Sequence, residues 1–278
     1  MSQTDVQSKP EISGNQPLTA TEREALKKTF AEDGYFVIKN VIPQDKLAEL
    51  HKNLSTAFDE GKKNGTLFSG GGMMSGHLNC FPGQGARFIY DILEERGIID
   101  VIREIEPAAS RMPNVGCNFN LPGSYIQHYH ADRNFTNHFM ILNVAVIDTV
   151  IENGAMELIA GTHKKFYPYW KFALENPKKN SIRMPMKQGD IIVRTSNVWH
   201  RGMPNKTSQP RPMVAFTWED GGSKHEDPFA VEGGQIKFRP NWFRPTKFGR
   251  IRETMFVKVP LTYSTFRFVS SLYGKKGY

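Results

Sequence analysis

The spacing of apolar and polar positions changes period near residue 114. Before that point the pattern is helical. Thr19 or Thr21 caps a run that continues through Asp33, with Glu22 and Glu24 at its positive end, and Gly34 stops it. Residues 35–41 alternate as a strand does. Pro43-Gln44-Asp45 opens a second helix reaching about Glu60, with Leu47, Leu50 and Leu54 on one face. A third helix is expected from about Arg87 to Ile105. From Asn114 onward, short apolar runs are separated by Gly, Pro and Asn turns, the pattern of a sandwich or closed barrel of about eight strands. Helices first and strands afterwards predict a mainly β domain with flanking helices. The expected architecture is a double-stranded β-helix (jelly roll, cupin-like) buttressed by N-terminal α-helices.

Three stretches fall outside this scheme. Residues 1–17 are polar, hold two prolines and show no periodicity, so a disordered tail is expected there. Nothing in residues 18–278 resembles a linker, and a single domain is expected. Ser69-Gly70-Gly71-Gly72-Met73-Met74-Ser75-Gly76-His77 reads as a mobile loop, with a lid over an active site as the sharper alternative. Its glycines lack the strand-before, helix-after setting of a phosphate-binding loop. Residues 164–181 form an aromatic, lysine-rich insertion between strands.

Within the β region one constellation carries chemistry. In an extended segment His130 and Asp132 project from the same face, because side chains alternate with period two. A distant histidine, His200, can complete a two-histidine, one-carboxylate face on a metal. Such a triad leaves open coordination positions and suits non-haem Fe(II) oxygenases. Arg211, eleven residues after His200, adds a planar guanidinium fork matched to a carboxylate. Asn118 and Asn120 share one face of the preceding strand, where either amide could meet a second carboxylate.

These residues stand in an ordered series. Gln127-His128-Tyr129-His130-Ala131-Asp132 is followed by Glu152-Asn153-Gly154, then Gly161-Thr162-His163, Gly189-Asp190, Trp199-His200 and Pro210-Arg211. The series resembles the phytanoyl-CoA dioxygenase family, whose members share the order HxD, ENG, GSH, GD, H, R. The likeness covers roughly residues 18–218 and includes the entry Asp33-Gly34-Tyr35-Phe36. It implies the jelly-roll fold and an enzyme using Fe(II), 2-oxoglutarate and O2. His130, Asp132 and His200 would be the metal ligands and catalytic centre. Arg211 would hold the far carboxylate of 2-oxoglutarate, with Asn118, Asn120 and Gln127 as further cosubstrate contacts. His128 and Arg133 are expected in the substrate pocket, while His163 fixes a turn. Related halogenases have a small residue at the position of Asp132, so its carboxylate implies hydroxylation instead. The family often has Ser or Thr near the arginine, whereas Met213 stands there here.

The implied reaction hydroxylates an unactivated C–H bond of a small polar or anionic metabolite, of phosphonate, carboxylate or CoA-thioester type, releasing succinate and CO2. The alternatives are an oxidative demethylase of nucleic-acid bases and a non-catalytic jelly-roll protein that binds a metal or ligand.

Charge bears on the alternatives. Residues 237–278 hold ten Lys or Arg against one acid, Glu253, with ten aromatics interleaved. The segment carries +9 of a chain total of +8, so the remainder is near −1. A basic, aromatic stretch can bind nucleic acid or another polyanion; a partly buried C-terminal extension with solvated Lys and Arg heads explains it equally well and is favoured here. No run of about 18 apolar residues could span a bilayer, and no membrane partner is expected. The polar start lacks a signal peptide. Two cysteines, Cys80 and Cys117, are too few for a disulfide framework and are expected as thiols in a cytoplasmic protein.

Overall fold

A computed structural model describes residues 12–67, 75–239, 247–259 and 261–272. Helix α1 (Ala20–Asp33) begins at Thr19 with a closed capping box. The Thr19 hydroxyl accepts from the Glu22 N–H, and the Glu22 carboxylate accepts from the Thr19 N–H at 2.8 Å. Of the tail expected to be disordered, residues 1–11 lie outside the described residues, and residues 12–17 are held in place. There Ile12 is buried and the Gly14 N–H donates to the Lys39 carbonyl, so an apolar side chain and a bridge tie the segment down. Strand β1 (Tyr35–Ile38) buries Phe36 and Ile38 alternately. Helix α2 (Gln44–Lys63) buries Leu47, Leu50, Leu54 and Phe58 along one stripe.

Strand β2 (His77–Phe81) starts inside the segment expected as a loop. The glycines and methionines before it, at 70–74, lie outside the described residues, and so does the lid alternative. The single helix expected over 87–105 is two, α3 (Arg87–Glu95) and α4 (Ile98–Ile105). Gly97 between them takes φ +72°, a left-handed conformation that glycine adopts without steric cost, and the chain turns there.

The strands that follow are β3 (Asn114–Asn120), β4 (Met140–Ala145) and the two-residue β5 (Glu157–Leu158). After them come a short helix, α5 (Tyr169–Glu175), then β6 (Ile182–Arg183), β7 (Ile191–Thr195), β8 (His200–Arg201) and β9 (Arg211–Thr217). The C-terminal part holds β10 (Lys237–Arg239), α6 (Lys247–Lys258) and α7 (Thr262–Leu272). Seven strands form one sheet in the order β1-β7-β4-β9-β3-β2-β10, and β6-β5-β8 form a second. The pairings within both are antiparallel. This is a jelly roll with a helical layer on the large sheet.

Strand alternation divides two tasks. Leu142, Val144, Ile191, Val193, Val214 and Phe216 point to the helices and share one core with Leu47, Leu54, Ile89 and Leu93. Each such side chain contributes about 1.5–3 kcal/mol through removal from water. The residues between them face the other way. Asn118, Ile141, Asn143, Arg194, Ala215 and Thr217 line a cavity of about 730 Å³ inside the roll. The main core lies outside the roll wall, and within it the polar groups lie beside a smaller apolar cluster that includes Ala145, Leu158, Ile192 and Met213.

The insertion at 164–181 builds a second, aromatic core. Phe172 stacks on Trp199 at 4.1 Å, with Tyr129, Tyr167 and Tyr169 around them. Trp218 packs in the main core. Helix α7 closes over this region: the Trp170 N–H donates to Ser271 Oγ at 3.0 Å, and buried Arg267 lies over the Tyr169 ring. The basic aromatic extension is thus partly packed, and its Trp242 and Phe243 lie outside the described residues. Cys80 and Cys117 are free, buried and opposite each other on β2 and β3. Among the described residues, no helix is long and apolar enough to cross a membrane.

Candidate metal centre

Residues 127–132 run alongside residues 196–202, and this pairing assembles the centre. The Gln127 N–H donates to the Gly202 carbonyl at 2.9 Å, and the Asp132 N–H to the Ser196 carbonyl at 2.8 Å. Between them His130 and His200 exchange backbone hydrogen bonds at 3.0 and 2.9 Å, which sets their rings 4.4 Å apart. His130 Nε2 lies 3.7 Å from Asp132 Oδ1, and His200 Nε2 lies 3.6 Å from Oδ2. These separations are too long for hydrogen bonds and suit three donors arranged around one ion. All three ligand atoms fall within 4.8 Å of one another.

Both histidines are held in the form a metal needs. A carbonyl can only accept, so contacts from His130 Nδ1 to the His128 carbonyl (2.8 Å) and from His200 Nδ1 to that of Val198 (3.0 Å) put the proton on Nδ1. Nε2 then presents its lone pair to the centre. Burial, with the nearby Arg194 charge, pushes the His200 imidazole down to about 3 against the pull of Asp132. Asp132 goes the other way. Burial opposes its charge, but His200, Arg194 and His130 outweigh that and hold its carboxyl well below the usual range. Arg194 Nη1 donates to Asp132 Oδ2 at 2.9 Å from within an otherwise apolar strand. Two neutral imidazoles and one carboxylate are the donor set of the expected iron site, and they fit it.

A second group of polar residues gathers at the start of β9. Arg211 is buried, pairs with Asn120 across β3 and β9, and donates from Nη2 to the Gly154 carbonyl at 3.3 Å. Its Nε is buried without a hydrogen-bond partner, and burial lowers its pKa to about 10. Among the described residues no carboxylate forms an ion pair with it. A buried guanidinium in that condition fits an incoming carboxylate. The turn that presents Gly154 is built by Asn153, whose Oδ1 accepts from the Val150 N–H (2.8 Å) and whose Nδ2 donates to the Asp148 carbonyl (2.7 Å). Gly154 takes φ +89°, and a Cβ there would strike Asn120 Nδ2 and the Met203 carbonyl. Asn120 Nδ2 donates to that carbonyl at 2.9 Å, while its Oδ1 is buried without a partner. Gln127 Oε1 accepts from the Gly202 N–H at 2.8 Å.

The other expected residues are placed differently from one another. Asn118 lines the cavity, as do Asp132 and Arg133. Arg133 is not a free cation: its Nε pairs with Glu219 and its Nη1 with Asp220 at 2.9 Å. His128 turns toward the C-terminal helices. Its Nε2 contacts the Phe256 carbonyl at 3.1 Å and its ring stacks on Tyr263 at 4.0 Å, so the C-terminal helices occupy it. The strand face it shares with His130 on paper is lost because the segment before His130 is irregular. His163 packs against Phe30 at the end of α1, in keeping with a turn-fixing role.

Two residues escaped the sequence reading. Arg194 is the buried partner of Asp132, and its signal was a charge inside the apolar run Ile191-Ile192-Val193. His77, placed in a loop by its glycine neighbours, begins β2. Its Nε2 contacts the Tyr125 carbonyl at 3.0 Å. Burial, with the charges of Arg211 and His130 beside it, pushes its imidazole down to about 4. It links the arginine end of the site to the triad.

A family model described as Phytanoyl-CoA dioxygenase (PhyH) matches residues 30–213. Dioxygenase lolE1 of Epichloe uncinata is 31% identical over 113 residues, 36% of this chain and only 42% of that relative. Dioxygenase FUM3 of Gibberella moniliformis (strain M3125 / FGSC 7600) is 24% identical over 256 residues, 81% of this chain and 82% of that one. Among solved structures, the epimerase SnoN in complex with Fe3+, alpha ketoglutarate and nogalamycin RO superposes with a TM-score of 0.52 at 16% identity. That match covers 72% of this chain and 84% of SnoN. AviO1 from Streptomyces viridochromogenes Tue57 gives 0.53 at 18% identity, covering 72% and 96%. At these identities the structural likeness is one of fold.

Proposed function

Because the chain belongs to the phytanoyl-CoA dioxygenase family, a dioxygenase using iron, 2-oxoglutarate and O2, we propose that it hydroxylates an unactivated C–H bond of a small polar metabolite. Succinate and CO2 are the coproducts. The observation that carries this reading is the convergence of His130, Asp132 and His200 within 4.8 Å, with Asp132 on the wall of the cavity inside the roll.

His130, Asp132 and His200 would hold the iron and leave the opposite face to cosubstrate and O2. Asp132 fills the position that a halogenase leaves to a halide, which supports hydroxylation. Arg211 would receive the far carboxylate of 2-oxoglutarate, a role supported by its burial and its unpartnered Nε. Gln127, fixed through Oε1, would offer its Nε2–H to the cosubstrate, and Asn118 its amide from the cavity wall. Asn120 gives one of its two Nδ2 hydrogens to Met203, which would fix the amide beside Arg211 and Gly154 and leave the other hydrogen for a carboxylate. Iron with 2-oxoglutarate and O2, when bound, supplies the oxidising power to break the C–H bond. The protein supplies geometry, a closed wall and hydrogen bonds.

Charge balance favours a neutral polar substrate over an anionic one. The two guanidiniums on the cavity wall, Arg133 and Arg194, each have carboxylate partners. Apart from the ion-paired groups, what remains is mostly amides and hydroxyls, Asn79, Asn114, Asn118, Asn143, Thr217 and Ser223, with the imidazole of His225. Such groups suit a hydroxylated or amide-bearing molecule. The test is succinate formation with Fe(II), 2-oxoglutarate and panels of neutral polar and anionic metabolites, followed by product mass under isotopically labelled O2. A neutral substrate whose product gains one labelled oxygen supports the reading. Stimulation by anions alone, or a product without added oxygen, overturns it.

A further inference from the structure

The outward face of the C-terminal helices is both apolar and cationic. On α6, Phe248, Ile251, Met255 and Val259 recur at spacings of three, four and four, which places them on one helical face. They are exposed, Phe248 to 86% and Ile251 to 58%. On and beside α7, Leu261, Phe266, Val269 and Leu272 are exposed as well, Leu261 to 75%. Of fourteen large apolar side chains exposed among the described residues, these are eight, so the exposure is concentrated in one place.

The helices are nonetheless docked. On α7, Tyr263 stacks on His128, Arg267 lies over Tyr169 and Ser271 meets Trp170, while on α6 Phe256 meets His128 through its carbonyl and Tyr263 through its ring. The apolar stripe is therefore a second face, left over after packing, and contiguous apolar surface of this kind marks an interaction site. Lys247 and Lys258 are exposed at the two ends of α6, and the whole segment from 237 carries +9. A protein partner or a second copy would account for the apolar stripe and not for the charge. A nucleic acid would account for the charge and not for the aliphatics. Apolar side chains bordered by Lys and Arg are what a helix lying in the interface of an anionic bilayer requires, because the apolar groups reach the acyl boundary while cationic ends stay among phosphates.

We propose that the outer face of α6 and α7 docks on an anionic lipid bilayer. Phe248, Ile251, Met255, Phe266 and their neighbours enter the interface, and Lys247 and Lys258 meet headgroup phosphates. The pair lies along the surface and does not cross it, in accord with helices of 12 and 11 residues.

The test is cosedimentation of the full chain with vesicles of phosphatidylcholine alone and of equal parts phosphatidylcholine and phosphatidylglycerol. Wild-type protein should partition into the mixed vesicles about tenfold or more in excess of the neutral ones, and salt should weaken this. Combining Phe248→Ser with Ile251→Ser, both at exposed positions that leave the packed face intact, should abolish most of the binding. Lys247→Glu with Lys258→Glu should erase the preference for phosphatidylglycerol. Circular dichroism matching wild type shows each variant folded. Equal or absent binding to both vesicles overturns the proposal. So does a wild-type dimer in sedimentation velocity that Phe248→Ser converts to monomer, which would assign the stripe to a second copy. Tight binding of an oligonucleotide that the serine variants retain, without vesicle binding, would assign the charge to nucleic acid.

Discussion

Arg194 holds Asp132 by a 2.9 Å hydrogen bond from Nη1 to Oδ2, and it does so from the middle of a buried strand. The same Oδ2 faces His200 and the other oxygen faces His130. One guanidinium thus fixes which way the carboxylate turns and, together with His200 and His130, keeps it ionised against the effect of burial. Removing it leaves a buried carboxylate without that partner. Arg194→Ala is expected to weaken metal affinity by about ten- to hundredfold, the usual effect of losing a group that orients a ligand. Anaerobic Fe(II) or Co(II) titration checks this, and unchanged affinity would remove Arg194 from the role.

Asp132→Ala should abolish substrate oxidation altogether. The variant loses one of three protein donors and the carboxylate that pairs with Arg194. Substrate-dependent succinate release is the readout. Full activity in a folded Asp132→Ala protein would contradict the triad.

Arg211→Ala separates cosubstrate binding from metal binding. The guanidinium pairs with no carboxylate in the described structure and contacts the Gly154 carbonyl. Its loss should raise the 2-oxoglutarate KM by about a hundredfold, as expected for about 3 kcal/mol from a charge-assisted bond, while metal affinity stays near wild type. Arg211→Lys should recover only part, because an ammonium cannot present the planar fork.

The two ends of this site differed in how plainly the sequence showed them. His130 and Asp132 were legible as a His-x-carboxylate pair followed by a distant histidine, although Asp132 stands at a bend beyond the His130–His200 bridge. The jelly roll was legible because short apolar runs, such as Met140–Ala145 and Ile191–Thr195, follow one another between Gly, Pro and Asn turns. Arg194 and Asn143 were not, since a polar residue in an apolar run says nothing local about where its side chain ends. That depended on the inner face of the roll being a cavity. The surroundings of His128 were not legible either, since nothing local shows that Phe256 and Tyr263, far along the chain, would pack against it. The strands of two residues, β5, β6 and β8, are too short to leave any pattern. Gly97 split one periodic run into two helices, because both halves buried apolar faces and only the turn between them marked the break.

Gly154→Ala tests the turn behind the arginine. Its φ of +89° and the approach of Asn120 and Met203 leave no room for a methyl group. A destabilisation of about 1–3 kcal/mol is expected from the backbone strain alone. Chemical denaturation measures it, and 2-oxoglutarate affinity should fall in the same variant because the Gly154 carbonyl positions Arg211. A neutral substitution would show that the turn tolerates a side chain.

The central claim is that His130, Asp132 and His200 assemble one iron site competent to bind 2-oxoglutarate. Its most direct test is anaerobic titration of the full chain with Fe(II) and then 2-oxoglutarate, followed in the visible region. The account predicts a weak metal-to-ligand charge-transfer band that needs both components and is lost in His200→Ala. A folded wild-type protein that never develops the band, or a His200→Ala variant that keeps it, would contradict the account.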